Sequence, residues 1–188
     1  MKAISKSLKK NDPNHLNLGI RYGYIEQLDD ELLRISKESF DALSFNCYAL
    51  SPDHEKMNHA LEISGLPMII GEYHFGTVDR GLAQSLWQVN SKKERGDAFR
   101  YYTENAFAHR GLIGTGWFRW IDQNINGRTD GENYNCGFID VTDRPYPYMV
   151  DAAIKTAKSL YEIHSGTKTP FHQAPNAVGH SPIPDLWE

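Results

Sequence analysis

Short apolar runs alternate along this chain with longer stretches of helical period, and the alternation repeats four times. His15 to Ile20 reads as a first strand, followed by a helix over roughly Leu28 to Ser39. Leu28, Leu32 and Ile35 share a face of that helix, and Asp29 and Asp30 stand at its N-terminal end, where the helix dipole favours acids. Ala42 to Cys47 reads as the second strand. Its helix is expected to open at Ser51-Pro52, a capping serine with proline at the first helical position, and to end at Gly65. Pro67 to Gly71 is the third strand, and its helix starts at the capping box Ser91…Glu94, with Phe99, Tyr102, Ala106 and Phe107 turned inward. Leu112 to Trp117 is the fourth. The last helix runs from about Tyr148 to His164, with Val150, Ala153, Ile154, Ala157, Leu160 and Tyr161 as its apolar stripe and Gly166 as its stop.

Strands and helices that alternate with one polarity build a parallel sheet with right-handed crossovers. Four such units are half of an eightfold (β/α)8 barrel, which takes about 250 residues. Met1 to Lys10 reads as the last turns of a helix from a preceding unit, so the chain is expected to be the C-terminal half of a larger domain. The predicted organisation is that half-barrel over residues 1–165 and an irregular Pro-, Ser- and His-rich tail over 166–188. His164, His172 and His180 are too irregularly spaced for a metal site.

Composition narrows the partners. A net charge of -4 and no Lys/Arg stripe leave no nucleic-acid footprint. No apolar run is long enough to span a membrane, and MKAISKSLKK lacks the apolar centre of an export signal. Cys47 and Cys136 have no metal-ligand spacing and read as two free thiols, with a disulfide as the alternative. Aromatics make up 12% of the chain, which suits either a large core or a cleft for sugar rings. Position decides between them.

The run Leu66-Pro67-Met68-Ile69-Ile70-Gly71 leads into Glu72, Tyr73, His74 and Phe75. A carboxylate is thereby placed at the C-terminal end of a buried strand, where barrel active sites are built. An acid among aromatics suggests carbohydrate hydrolysis, which ordinarily needs a second carboxylate. The loops that follow the third and fourth strands, Gly76 to Asn90 and Asp122 to Pro147, are long and lie on the same side as Glu72.

At these residues the chain resembles the β-agarases of glycoside hydrolase family 50. GEYHFG (Gly71 to Gly76) with Asp79-Arg80-Gly81, Gly116-Trp117-Phe118 leading to Asp122-Gln123, and Gly127-Arg128 carry the likeness. So do Asp130 to Tyr134, Gly137 to Val141 and Pro145-Tyr146-Pro147, with Asn14-His15-Leu16, Leu18-Gly19 and Ser44-Phe45-Asn46 earlier in the chain. The resemblance implies a retaining (β/α)8 glycosidase in which these strands are the fifth to the eighth. It implies that Glu72 is the nucleophile, that an acid/base glutamate after the fourth strand is missing here, and that the full-length enzyme is secreted or periplasmic. The implied substrate is a galactan oligosaccharide or polysaccharide with a β-galactoside linkage, cleaved weakly or not at all by this chain alone. Partners would be a complementary N-terminal half or a second copy closing the unpaired sheet edges. The alternatives are a non-catalytic carbohydrate-binding fragment and a glycosidase for another β-linked polysaccharide.

Around Glu72 the expected substrate contacts are Asn46, Tyr48, His74, Arg80, Trp117, Asp130, Glu132 and Asn133. Arg21, Tyr48 and His74 are candidate donors to its carboxylate. Core packing competes with sugar stacking for Trp117, which strand alternation favours over Trp120 as the ligand contact. A satisfied polar histidine competes for His74. Gln84 and Arg80 are either subsite residues or solvated ones. Glu26, in a loop two strands from Glu72, and Glu132 are the candidates to replace the missing acid, and nothing in their spacing demands that role. No cofactor or metal is expected: Asp122-x-Asn124-x-Asn126-Gly127 looks like a calcium loop, but its twelfth position is Asn133, with Glu132 one residue early.

Overall fold

The computed structural model describes residues 1–179; the expected tail positions from His180 onward lie outside the described residues. These residues gather into two compact units, each assembled from several stretches of chain.

The first unit comprises Met1–Cys47, Pro52–Glu72 and His109–Gly116. Its elements are α1 (Lys2–Asn11), β1 (Arg21–Tyr22), α2 (Asp30–Lys37), β2 (Leu43–Asn46), α3 (His54–Ser64), β3 (Met68–Tyr73) and the body of a strand at Leu112–Trp117. The sheet order is β1, β2, β3 and then that last strand. β1 pairs with β2 and β2 with β3 in parallel. One face is closed by apolar side chains: Leu43 and Phe45 of β2, Met68 and Ile70 of β3, and Leu112 are buried together with Leu33 of α2 and with Met57 and Ala60 of α3. Burial on this scale is worth roughly 1.5–3 kcal/mol per side chain. Ser44, Asn46, Ile69 and Gly71 alternate onto the other face and are only half-buried.

Three local expectations are corrected here. The first strand is Arg21–Tyr22, not His15–Ile20. Gly19 has φ +77° and the Phe40 ring lies 2.6 Å from where a Cβ would stand, so the chain turns before it can pair. The inward face of α2 centres on Leu33 and Ser36, with Leu32 and Ile35 at its margin. The cap of α3 is Asp53, whose carboxylate accepts the amides of Glu55 (2.9 Å) and Lys56 (3.2 Å). Ser51 and Pro52 stand outside the helix. Asp53→Ala should therefore cost about 1 kcal/mol in a thermal denaturation and Ser51→Ala only a few tenths; equal losses would contradict this assignment. Gly65 ends α3 in the left-handed region, as its position predicts.

The second unit takes Tyr48–Ser51, Tyr73–Ala108 and the chain from Trp117 onward. It contains β4 (Trp87–Gln88), α4 (Lys92–Phe107), α5 (Pro147–His164) and, in the expected irregular tail, a two-residue strand β6 (Val178–Gly179) antiparallel to β4; the strand Leu112–Trp117 is β5. Ser91 caps α4 by accepting the Glu94 amide, and the Glu94 carboxylate accepts the amide of Asn90. α5 corrects a further expectation. Its buried residues are Met149, Ala152, Thr156, Ser159 and Ile163, while Val150, Ile154 and Tyr161 stay exposed. α4 and α5 approach so closely that a Cβ on Gly96 would lie 2.5 Å from the Tyr148 carbonyl. Such a crossing admits only small side chains. Tyr73, Phe75, Phe99, Tyr102, Trp117 and Phe138 form an aromatic cluster within this unit, with Tyr73 and Tyr102 stacked at 4.0 Å. Among the described residues no helix is long and apolar enough to cross a membrane. Cys47 and Cys136 are both buried, and neither is in a disulfide among the described residues.

Candidate active site

The site in the first unit starts from a register shift. β2 and β3 pair residue for residue from Leu43↔Met68 to Phe45↔Ile70, and the next pair is Asn46↔Glu72. One extra residue, Gly71, has been admitted on β3. Gly71 and Glu72 are consequently both half-buried, where strict alternation would have sent one of them into the apolar face. The bulge aligns the side chains of Asn46 and Glu72. Asn46 donates through Nδ2 to Glu72 Oε2 at 3.0 Å. Arg21, at the start of β1, places Nη1 2.7 Å from Glu72 Oε1. Each carboxylate oxygen therefore has a donor, and the Glu72 side chain keeps 18% of its surface open. A carboxylate held from both sides in this way has a fixed orientation.

Tyr24 belongs to the same neighbourhood. Burial, then the negative charges of Glu26 and Glu72, hold its hydroxyl above the ordinary tyrosine range. Glu26 itself is ion-paired with Lys56 at 2.8 Å. The sequence pattern did not single out Tyr24. Its signal is the RYGY run that begins with the first strand, obscured by an expected strand six residues too early.

Tyr48 and His74 lie in the second unit, with ring centroids 5.0 Å apart. His74 is buried. Its Nδ1–H donates to the Phe118 carbonyl (3.1 Å), and Nε2 accepts the Leu86 amide (3.2 Å). This is the geometry of a satisfied polar histidine that fastens the loop after β3. Burial pushes its pKa down to about 3, against a smaller opposing effect of the Phe118 carbonyl. The unfolded chain takes up that proton below about 6.5 and the folded protein only near 3. Stability from this group is therefore lost as pH falls through that window, by up to ~1.4 kcal/mol per pH unit. The stability gap between wild type and His74→Gln, from urea unfolding, should shrink between pH 7 and pH 5; a gap independent of pH would contradict a neutral buried imidazole.

The remaining expected contacts also lie in the second unit. Trp117 is half-buried in the aromatic cluster and donates Nε1–H to the Cys136 carbonyl at 2.7 Å. Trp120 is 66% exposed and stacks on Phe138. Arg80 is exposed, 3.8 Å from Asp140. Asp130 and Glu132 both pair with Arg128, and Gln123 donates to Glu132 at 2.8 Å. Asn133 accepts the Ala83 amide at 2.7 Å and so ties the two long loops together. Asp122, first residue of the calcium-like run, is buried. It accepts from the Gly137 amide (2.7 Å), Asn135 (2.5 Å) and the Tyr146 hydroxyl (2.5 Å). Asn124 and Gly127 form a turn. That run is a loop clasp built on a buried acid.

No model of a known protein family matches the sequence. Two curated relatives do. β-Agarase A of Vibrio sp. (strain JT0107) is 36% identical over 165 residues, which cover 84% of this chain and 16% of that protein. β-Agarase B of the same organism is 34% identical over 165 residues, covering 84% of this chain and 17% of its own. Among solved structures, that of an agarase, AgWH50C, superposes with a TM-score of 0.80 at 37% identity over 86% of this chain and 25% of that one. The chain thus spans about a sixth of the length of the curated relatives it matches.

Proposed function

From the premise that this chain fits a segment of the β-agarases of glycoside hydrolase family 50, we propose that it is the nucleophile-bearing part of a retaining β-agarase acting on a β-galactoside linkage in an agar-like polysaccharide. The observation that carries the reading is the Glu72 carboxylate, held by Arg21 and Asn46 on the half-open face of a mostly parallel sheet. In the proposed reaction one Glu72 oxygen attacks the anomeric carbon as the glycosidic C–O bond breaks. The leaving oxygen takes a proton from an acid, and water then cleaves the glycosyl ester. The resemblance assigns that acid to a strand preceding those present here. A complementary N-terminal segment would supply it and complete the (β/α)8 barrel of which this sheet would form strands five to eight.

Asn46, Tyr48, Arg80, Trp117, Asp130, Glu132 and Asn133 are proposed sugar contacts. For His74 the geometry supports holding the loop in place.

A nucleophile without its acid has a chemical signature. Agarose, whose leaving alkoxide must be protonated, should stay intact. A dinitrophenyl β-galactoside, whose phenolate leaves unprotonated, should glycosylate Glu72 and release up to one equivalent of dinitrophenolate, since no base activates water to clear the ester. Release without any covalent sugar on the protein would refute the nucleophile assignment.

A further inference from the structure

We propose that Gly71 is a positioning residue for Glu72, acting through Arg21; the inference rests on the reading of Glu72 as the nucleophile. The bulge leaves Gly71 and Glu72 as consecutive residues on the half-open face of β3. Arg21 must pass over that face to reach Glu72 Oε1, and its aliphatic stem occupies the space a side chain at 71 would need. A Cβ on Gly71 would stand 2.5 Å from Arg21 Cδ, 3.0 Å from Arg21 Cγ and 3.3 Å from Asn46 Oδ1. Arg21 is thus the donor that a methyl at 71 displaces, while Asn46 need give by only a few tenths of an ångström.

The requirement is one of space. Gly71 is not among the glycines with positive φ, so alanine can adopt its backbone conformation. The atoms in the way belong to a flexible arginine stem that is half exposed. Strain introduced by a methyl is relieved by displacing Arg21 and leaves the sheet in place. Gly116 makes the contrast: a Cβ there would meet the Gly71 carbonyl at 2.6 Å, and backbone cannot swing aside. Gly116 is thus a glycine of the sheet and Gly71 a glycine of the site. Sequence alone does not separate them.

The test uses the full chain with Gly71→Ala, Arg21→Ala and the double variant. Two readouts are followed: the rate of dinitrophenolate release, and the guanidinium NMR signals of Arg21, which are resolved when the group is held and averaged when it is free. Gly71→Ala should melt at the wild-type temperature, average the Arg21 signals and slow release by about 10–100-fold, the scale of a misplaced reacting group. The double variant should be no slower than Arg21→Ala, because the alanine acts only by moving the arginine. Arg21 signals that stay resolved in Gly71→Ala, or losses that add in the double variant, would overturn the inference. If Glu72→Gln left release unchanged while Gly71→Ala still freed Arg21, the nucleophile reading would fall and the spatial link between Gly71 and Arg21 would stand.

Discussion

Glu72→Gln should reduce dinitrophenolate release by at least ~10³-fold, the scale on which hydrolases lose activity when a covalent nucleophile is removed. The substitution is close to isosteric. The glutamine carbonyl can still accept from Arg21, which lies 2.7 Å from Oε1 in the wild type. The fold therefore has little reason to change; the amide nitrogen that replaces Oε2 loses the bond from Asn46 Nδ2 together with the attacking lone pair of an anionic oxygen. Binding of agaro-oligosaccharides, measured by calorimetry, should change by no more than about threefold, equivalent to less than 1 kcal/mol. Binding without covalent chemistry in either protein would instead favour the carbohydrate-binding fragment.

The largest expected loss of stability is at Arg95. Its side chain is fully buried in the second unit and donates through Nη1 to the Asn135 carbonyl (2.8 Å) and Oδ1 (3.3 Å). The Tyr146 ring lies 4.5 Å from its guanidinium carbon. Asn135 and Tyr146 in turn donate to buried Asp122. Arg95 thus provides a positive charge in the network that holds Asp122. Its Nε and Nη2 donate to no protein group among the described residues. Removing only the cation is nonetheless costly, because Asp122 would keep a buried negative charge. Arg95→Met retains most of the volume and should lower unfolding free energy by about 3–5 kcal/mol. Arg128→Met removes an exposed partner of Asp130 and should cost ~0–1 kcal/mol. Urea unfolding of the pair makes the comparison; an Arg95→Met loss as small as that of Arg128→Met would refute the charge-balancing role.

The local grammar of the chain made several elements legible. Leu112–Trp117 appears where its apolar run predicts, and α4 begins at the Ser91…Glu94 cap. Those features depend on neighbours within a few residues. The errors arose where distant partners decide. Leu16, Leu18 and Ile20 alternate like a strand, yet the Asn17 amide bonds to the Asp41 carboxylate (2.7 Å), and the Asp41 amide to the Asn17 carbonyl (2.8 Å), while Gly19 turns the chain. In α5 the bulkiest apolar stripe was expected to face inward. The close approach at Gly96 instead brings in Ala152, and Thr156 on the same buried face donates to Glu104.

The candidate site divides along the same line. The place of Glu72 near the C-terminal end of β3 was legible, because a carboxylate after an apolar run has a defined position in a parallel sheet. Its clamp was only partly legible. Arg21 and Asn46 are common residue types, and nothing near Asn46 in the sequence announces a bulge. The shift that sets Asn46 opposite Glu72, and the space at Gly71 that Arg21 fills, emerge only when three strands lie side by side.

Glycosylation of Glu72 is the most direct test. The chain should be incubated with dinitrophenyl β-galactoside, digested and mapped by mass spectrometry. One hexose on the peptide that contains Glu72, and none on the Glu72→Gln variant, is the predicted result. An unmodified Glu72 peptide alongside dinitrophenolate release, or a hexose on any other carboxylate, would contradict the assignment.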